Sequence, residues 1–174
     1  DKPLSFYSAT KKSNEVMAYS YSNIYKIPST ALRLFTVYGP FGRPDMSLFK
    51  FANKIKKNEQ VPLFNYGNHT RDFTYIDDIV DGIISIINKP SKNIIPYNCF
   101  NLGSGKPNKL KIYLKLIEEN IGKKARIKNL PLQLGDVKKT HSDINLLKKY
   151  SKYKPKTDIK KGIEEFIKWY KKYY

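Results

Sequence analysis

Tyr7 and Lys11 are the residues from which chemistry can first be argued. They stand four apart in a Pro-free run that extends to Lys26, so a helix would set them on one face. A phenol, with an ordinary pKa of about 10, is a poor base at neutral pH, and an adjacent ammonium favours its phenolate. The pair therefore reads as a general base for a hydroxyl proton, the transfer that must accompany hydride removal from an alcohol. Tyr-x3-Lys also arises by chance in a chain rich in both residues, so the pair needs support from its surroundings.

The elements that must position it follow from periodicity. Residues 10–26 read as a helix closed by Pro28. Residues 30–35 read as a buried strand running into the turn-rich Tyr38-Gly39-Pro40-Phe41-Gly42-Arg43-Pro44. Leu48, Phe49, Ala52 and Ile55 mark a helix over 46–57, and Val61 to Phe64 a strand. Residues 71–76 alternate as a further strand, after which Asp77 or Asp78 would cap a helix over 79–87. Strands at 98–102 and 125–130 and helices at 108–120, 143–150 and 158–173 complete the series, with Gly122 as a helix stop. The alternation argues an α/β fold.

Composition removes several alternatives. The net charge of +18 is carried mostly by lysines spread through every segment, with no basic arm or block, which argues against a nucleic-acid face. Cys99 stands alone, so there is no internal disulfide. His69 and His141 lack metal-ligand spacing, and no metal site is expected. No apolar run reaches the length of a membrane span, and no secretory leader precedes Tyr7. A cytoplasmic protein is the expectation.

At Arg33-Leu34-Phe35-Thr36-Val37-Tyr38-Gly39-Pro40 the chain resembles the extended short-chain dehydrogenase/reductase family, the nucleotide-sugar epimerases and dehydratases. Tyr7-x3-Lys11 lies at the right distance upstream, Arg71-Asp72-Phe73-Thr74-Tyr75-Ile76-Asp77-Asp78 resembles the second signature, and Asn101-Leu102-Gly103 and Gly135-Asp136-Val137 match later landmarks. Arg43-Pro44-Asp45-Met46 most resembles the UDP-glucuronate 4-epimerase branch. The family's Gly-rich dinucleotide turn has no counterpart here. The resemblance therefore implies the C-terminal part of an extended Rossmann-fold enzyme. Residues 1–37 would be the distal part of an NAD-binding lobe, and 38–174 mainly a UDP-sugar lobe with interleaved cofactor-lobe elements.

The resemblance also assigns roles. Tyr7 would exchange the sugar C4 hydroxyl proton and Lys11 would hold the nicotinamide ribose, with Phe35 and Tyr38 flanking the NAD cofactor. Thr36 would face the sugar or phosphate, and Arg43 would grip a carboxylate at C5 with both arms of its guanidinium. Arg71 would contact the UDP diphosphate, with Asp72 beside it as a simple partner, and Asp136 would stand near the nucleotide ribose. Gln133 replaces an arginine that galactose epimerases tend to carry, which weakens a second diphosphate clamp. The backbone of Val61–Phe64 would line the uracil. A homodimer through a four-helix contact is implied for the full-length enzyme, with the 10–26 helix taking part. Within the family the rivals are a 4,6-dehydratase, a UDP-sugar decarboxylase and a UDP-galactose 4-epimerase. From another class, the rival is a non-catalytic nucleotide-sugar-binding module, since the chain alone is expected to be inactive.

Overall fold

The structure, a computed structural model, describes residues 2–174. Helix α1 covers Phe6–Tyr25, beginning four residues earlier than its periodicity predicts. The cause is Ser5, an extended residue whose Oγ accepts the Ser8 N–H at 3.2 Å and so satisfies one of the helix's orphan donors. The early start places Tyr7 and Lys11 on one helix. Lys26 closes it in the left-handed conformation.

Strand β1 (Ser29–Leu34) follows. It pairs in parallel with β6 (Tyr97–Leu102), Ala31 lying opposite Cys99. Alternation divides the two faces of this pair. On one, Tyr97 meets Tyr19 of α1 edge-on at 5.4 Å. On the other, Phe100 and Leu102 join Ile79 and Ile86 of α3 (Ile76–Ile87) and Leu147 of α5 (Asn145–Ser151) in a buried cluster.

A second, larger cluster occupies the rest of the chain. Strand β2 (Thr36–Tyr38) pairs with β5 (Phe73–Tyr75), and β3 (Gln60–Phe64) with β8 (Arg126–Leu130), both in parallel. Helices α2 (Ser47–Lys56), α4 (Leu110–Ile121) and α6 (Ile159–Tyr173) pack against them. Phe49, Ile55, Val61, Leu63, Tyr113, Ile117, Ile163 and Phe166 form its centre. Helix α6 can approach closely because position 162 is glycine: a Cβ there would overlap the Tyr38 hydroxyl and lie 2.7 Å from its Cζ.

The expected strand over 71–76 is broken. Thr70–Arg71 form β4, which pairs antiparallel with β7 (Asn108–Lys109), while Phe73 begins β5. Asp72 makes the break and is fully buried. Its Oδ1 accepts the Ser104 N–H (2.9 Å), the Ser104 hydroxyl (2.8 Å) and the Thr74 hydroxyl (3.2 Å). Its Oδ2 accepts the N–H groups of Gly105 (3.1 Å) and Ser142 (3.0 Å) and the Ser142 hydroxyl (2.6 Å). Burial raises the cost of the charge, yet these donors prevail and hold the carboxyl below its ordinary range. Asp72 is thus the knot joining the two clusters, and not a partner of Arg71.

A second correction concerns α3. It starts at Ile76 without a side-chain cap, so Asp77 and Asp78 lie inside the first turn. Asp78 instead accepts the Lys156 and Thr157 N–H groups at 2.9 and 3.0 Å, fixing the segment that leads into α6.

Candidate functional site

Strand β2, helix α2 and strands β3 and β4 converge on a cleft of about 300 Å³. Its floor is apolar, from Pro62, Phe64, Phe73 and Leu110, and its rim is polar, from Thr36, Asp45, Ser47, Lys50, His69, Arg71 and Asp136. Thr36 reaches it because it opens β2 opposite Phe73. Apolar side chains of α2 at 48, 49, 52 and 55 face the core, which turns Ser47 and Lys50 toward the opening.

Asp136 arrives from far along the chain. Residues 138–140 run beside β4, with Thr70 N–H donating to Lys138 O (2.9 Å) and Thr140 N–H to Thr70 O (3.0 Å). Gly135, at φ +76°, supplies the left-handed turn just before Asp136, and the Asp136 Oδ1 accepts the Val137 N–H at 2.8 Å. The same oxygen accepts from Arg71 Nη2 at 2.8 Å. His69 Nε2 lies 3.2 Å from the other carboxylate oxygen, too poorly aligned for a hydrogen bond. Burial first, and then the Arg71 charge, holds the His69 imidazole below its ordinary range against the opposing pull of Asp136. Arg71, rather than His69, is therefore the cation beside Asp136, held by that carboxylate and half-buried, with donors left over for an anion.

Arg43 lies at the mouth of a smaller cavity of about 40 Å³ shared with Thr36, Gly39, Gly42, Met46 and Ser47. Its guanidinium grips the Asp45 carboxylate through two parallel bonds of 2.8 and 2.7 Å. The fork geometry expected for a sugar carboxylate is present, filled by the chain's own. Tyr7 is near enough to add to the field that raises the Arg43 pKa, after the larger contribution of Asp45. Lys11 Nζ sits 5.4 Å from the centre of the Tyr7 ring. Both line an open groove between α1 and β1, crossed by the Glu15–Arg33 pair at 2.6 and 2.7 Å. The start of α1 also abuts the Asp136 turn, since a Cβ on Gly135 would lie 3.4 Å from Ser5 Cβ. Tyr7, Arg43, Thr36, Arg71 and Asp136 thus belong to one connected region.

Two expected cofactor contacts separate. Phe35 is half-buried, its ring 3.2 Å from where a Cβ on Gly103 would stand. Tyr38 is only 5 % exposed, edge-on to Phe73, Tyr75 and Tyr113 at 5.8–6.3 Å. Burial drives its phenol pKa up. Tyr38 is core, because inward alternation from Thr36 carries it under α6. Asn101, of the Asn101-Leu102-Gly103 landmark, donates to Asp143 O at 3.0 Å.

Lys50, Ser47 and His69 were not among the expected site residues. A partial signal for the first two was available: Ser47 and Lys50 are an i, i+3 polar pair in the first turns of α2, beside the buried Leu48, Phe49 and Phe51. His69 offered no signal, as its place depends on the distant Asp136 turn.

Comparison with known proteins places these observations. The NAD dependent epimerase/dehydratase family model matches residues 1–103, and the chain belongs to that family. Protein CapI of Staphylococcus aureus is 43 % identical over an alignment of 188 residues, covering all of this chain and 56 % of CapI. A probable UDP-glucuronate 4-epimerase of Rhizobium meliloti is 38 % identical, covering all of this chain and 55 % of that protein. Among solved structures, the UDP-glucuronic acid 4-epimerase of Bacillus cereus in complex with UDP-glucuronic acid and NAD superposes with a TM-score of 0.92. That match has 32 % identity and covers 99 % of this chain and 55 % of the other. The fold is accordingly the α/β, Rossmann-like epimerase fold. The chain spans about half the length of the curated relatives it matches.

Proposed function

We propose that this chain forms the substrate side and the Tyr-Lys helix of an NAD-dependent UDP-glucuronate 4-epimerase. The observation that carries the reading is that Arg71 and Asp136 line one cleft and Arg43 an adjoining cavity, the two sharing Thr36 and Ser47, although Thr36 and Asp136 stand about a hundred residues apart in the sequence. The two hydrophobic clusters support a division into a cofactor-side part and a substrate-side part.

The uracil would lie over Pro62, Phe64 and Leu110, between the walls of the cleft, with the ribose toward Asp136. Arg71 takes the diphosphate, using the guanidinium donors that Asp136 leaves free. Lys50, on the opposite rim, supplies a second positive charge where Gln133 cannot. The glucuronate carboxylate displaces Asp45 from Arg43, an exchange of one planar anion for another, with Thr36 donating its hydroxyl nearby. Tyr7 takes the C4 hydroxyl proton as the alcohol is oxidised, and returns it after the 4-keto sugar has presented its other face. Lys11, whose Nζ stands 5.4 Å from the centre of the Tyr7 ring, places a positive charge beside that proton transfer.

The donor set of the α1 groove fits one end of the cofactor: Lys11 can hold ribose hydroxyls beside Tyr7, with Leu32 and Leu34 as an apolar wall. NAD supplies the hydride acceptor and donor when bound. The dinucleotide pyrophosphate has no Gly-rich cradle among the described residues, and the 174-residue chain alone is expected not to interconvert the sugars. Exposed Val16, Met17, Tyr21 and Ile24 on α1 support the homodimer reading. No described helix is long and apolar enough to cross a membrane.

Calorimetric titration of the chain with UDP-glucuronate, UDP-galactose and UDP tests the proposal. The expected result is a preference for the glucuronate that disappears in Arg43→Ala. Equal affinity for all three ligands in the wild-type chain would remove the glucuronate assignment.

A further inference from the structure

Phe41 lies in the loop that carries Arg43 and has a backbone that a bulky side chain rarely adopts. Its φ is +59°, in the left-handed region that costs a non-glycine residue roughly 1 kcal/mol or more. Its neighbours on both sides, Pro40 and Gly42, would allow a glycine there without loss of the turn. The ring nevertheless has a defined place. It stands 5.2 Å from the Trp169 ring and 6.3 Å from that of Tyr173, both on α6. Four-fifths of Phe41 remains exposed, so core burial does not explain why a strained aromatic sits there. Trp169 is itself braced from behind by Phe166 at 5.6 Å and Phe49 at 6.5 Å, so Phe41 leans on a fixed surface.

From this strain and this contact we infer that Phe41 is a positioning residue: an aromatic clasp to Trp169 that holds the 39–46 loop so that Arg43 faces the sugar carboxylate. The inference rests on the glucuronate reading above and adds a device to it. The loop's two ends are anchored, Gly39 buried beside Tyr75 and Ile76 and Met46 O accepting the Lys50 N–H at 3.0 Å, which leaves residues 40–45 between them. Within the loop the Met46 N–H donates to Arg43 O at 3.1 Å, and the Arg43–Asp45 pair is exposed and internal to the loop. The first ties the Arg43 backbone to the start of α2, and neither reaches the 40–42 tip that carries Phe41. Once a ligand carboxylate displaces Asp45, that second restraint is lost, and the Phe41–Trp169 contact is what keeps the guanidinium in register. Loss of the ring would release the loop and tax the carboxylate contact while leaving the distant Arg71 end of the cleft unchanged.

Trp169 is the chain's single tryptophan, which makes the clasp observable without a label. Without ligand, acrylamide quenching of Trp169 should rise in Phe41→Ala and Phe41→Gly and return to the wild-type level in Phe41→Tyr. The glycine variant relieves the left-handed strain, so it separates loss of the ring from loss of folding. In calorimetry, the alanine and glycine variants should bind UDP-glucuronate roughly three- to tenfold more weakly, the range an aromatic pair is worth. Both should bind UDP as the wild type does, and Phe41→Tyr should restore the glucuronate affinity. Unchanged quenching would overturn the clasp. So would unchanged glucuronate affinity in a wild-type chain that prefers it, or parallel losses for UDP and UDP-glucuronate, which would mark a merely structural role. If the wild-type chain shows no preference for the glucuronate over UDP, the reading of Arg43 fails, and the clasp's function fails with it.

Discussion

Replacing Asp72 by Asn changes one oxygen into an NH2 group at the point where the two hydrophobic clusters meet. Six donors converge on the carboxylate, and three of them are backbone N–H groups: Ser104 on one oxygen, Gly105 and Ser142 on the other. The hydroxyls of Thr74, Ser104 and Ser142 can rotate to accept from the new amide, but the backbone donors cannot. The least costly arrangement puts the NH2 in place of Oδ1, which strands the Ser104 N–H in a buried site. One unsatisfied buried donor costs about 1–3 kcal/mol, and the remaining bonds fall from charge-assisted to neutral strength at about 1 kcal/mol in total or somewhat more. A loss of about 2–4 kcal/mol is expected, a large part of the ~5–15 kcal/mol that holds a typical domain together. Urea unfolding followed by Trp169 fluorescence would measure it. The pH dependence gives a second check. The folded-state pKa of Asp72 is depressed, so its contribution is complete above the unfolded value of about 3.9 and is lost as pH falls through the folded value. The gap between wild type and Asp72→Asn should therefore be constant near neutrality and narrow in acid. A loss under about 1 kcal/mol, against the cost expected of a stranded donor, or a gap that widens in acid, would refute the account of Asp72 as the knot.

Three further outcomes follow from local geometry. Gly162→Ala drives a methyl group into the Tyr38 ring and should cost about 1–3 kcal/mol in urea unfolding as overpacking; a neutral change would mean that α6 can shift freely. Arg71→Ala removes a cation that holds the His69 pKa down and leaves Asp136, which raises it, so the His69 midpoint in an NMR titration should move upward; a downward move would contradict the described network. Ser5→Ala removes the α1 cap and should cost about 1 kcal/mol, read as lower amide protection in the first turn around Tyr7, with the rest of α1 unchanged.

The helices and strands were legible wherever periodicity and punctuation acted together. Pro28, Gly122 and the α6 pattern of Ile163, Phe166, Ile167 and Tyr170 are examples. Boundaries set by a single side chain were not. Ser5 moved the start of α1, and Asp72 broke a strand that alternation alone would continue. At the site, ordered motifs brought out Tyr7, Lys11, Arg43 and Arg71, since each stands in a local pattern. Tyr38 shared a motif with them, but its burial depends on Gly162, more than a hundred residues away. The pairing of Arg71 with Asp136 rather than Asp72 likewise depends on a turn at Gly135 that brings a distant segment alongside β4. Such tertiary contacts leave no mark in the spacing of neighbouring residues.

The central claim is that the Arg71–Asp136 cleft receives the diphosphate of a uridine nucleotide. Calorimetric titration of UDP into the wild-type chain and into Arg71→Ala tests it most directly. The account predicts measurable binding that weakens roughly tenfold or more in the variant, as for a lost charge-assisted contact. UDP binding of equal strength in both proteins, or none in either, would contradict it.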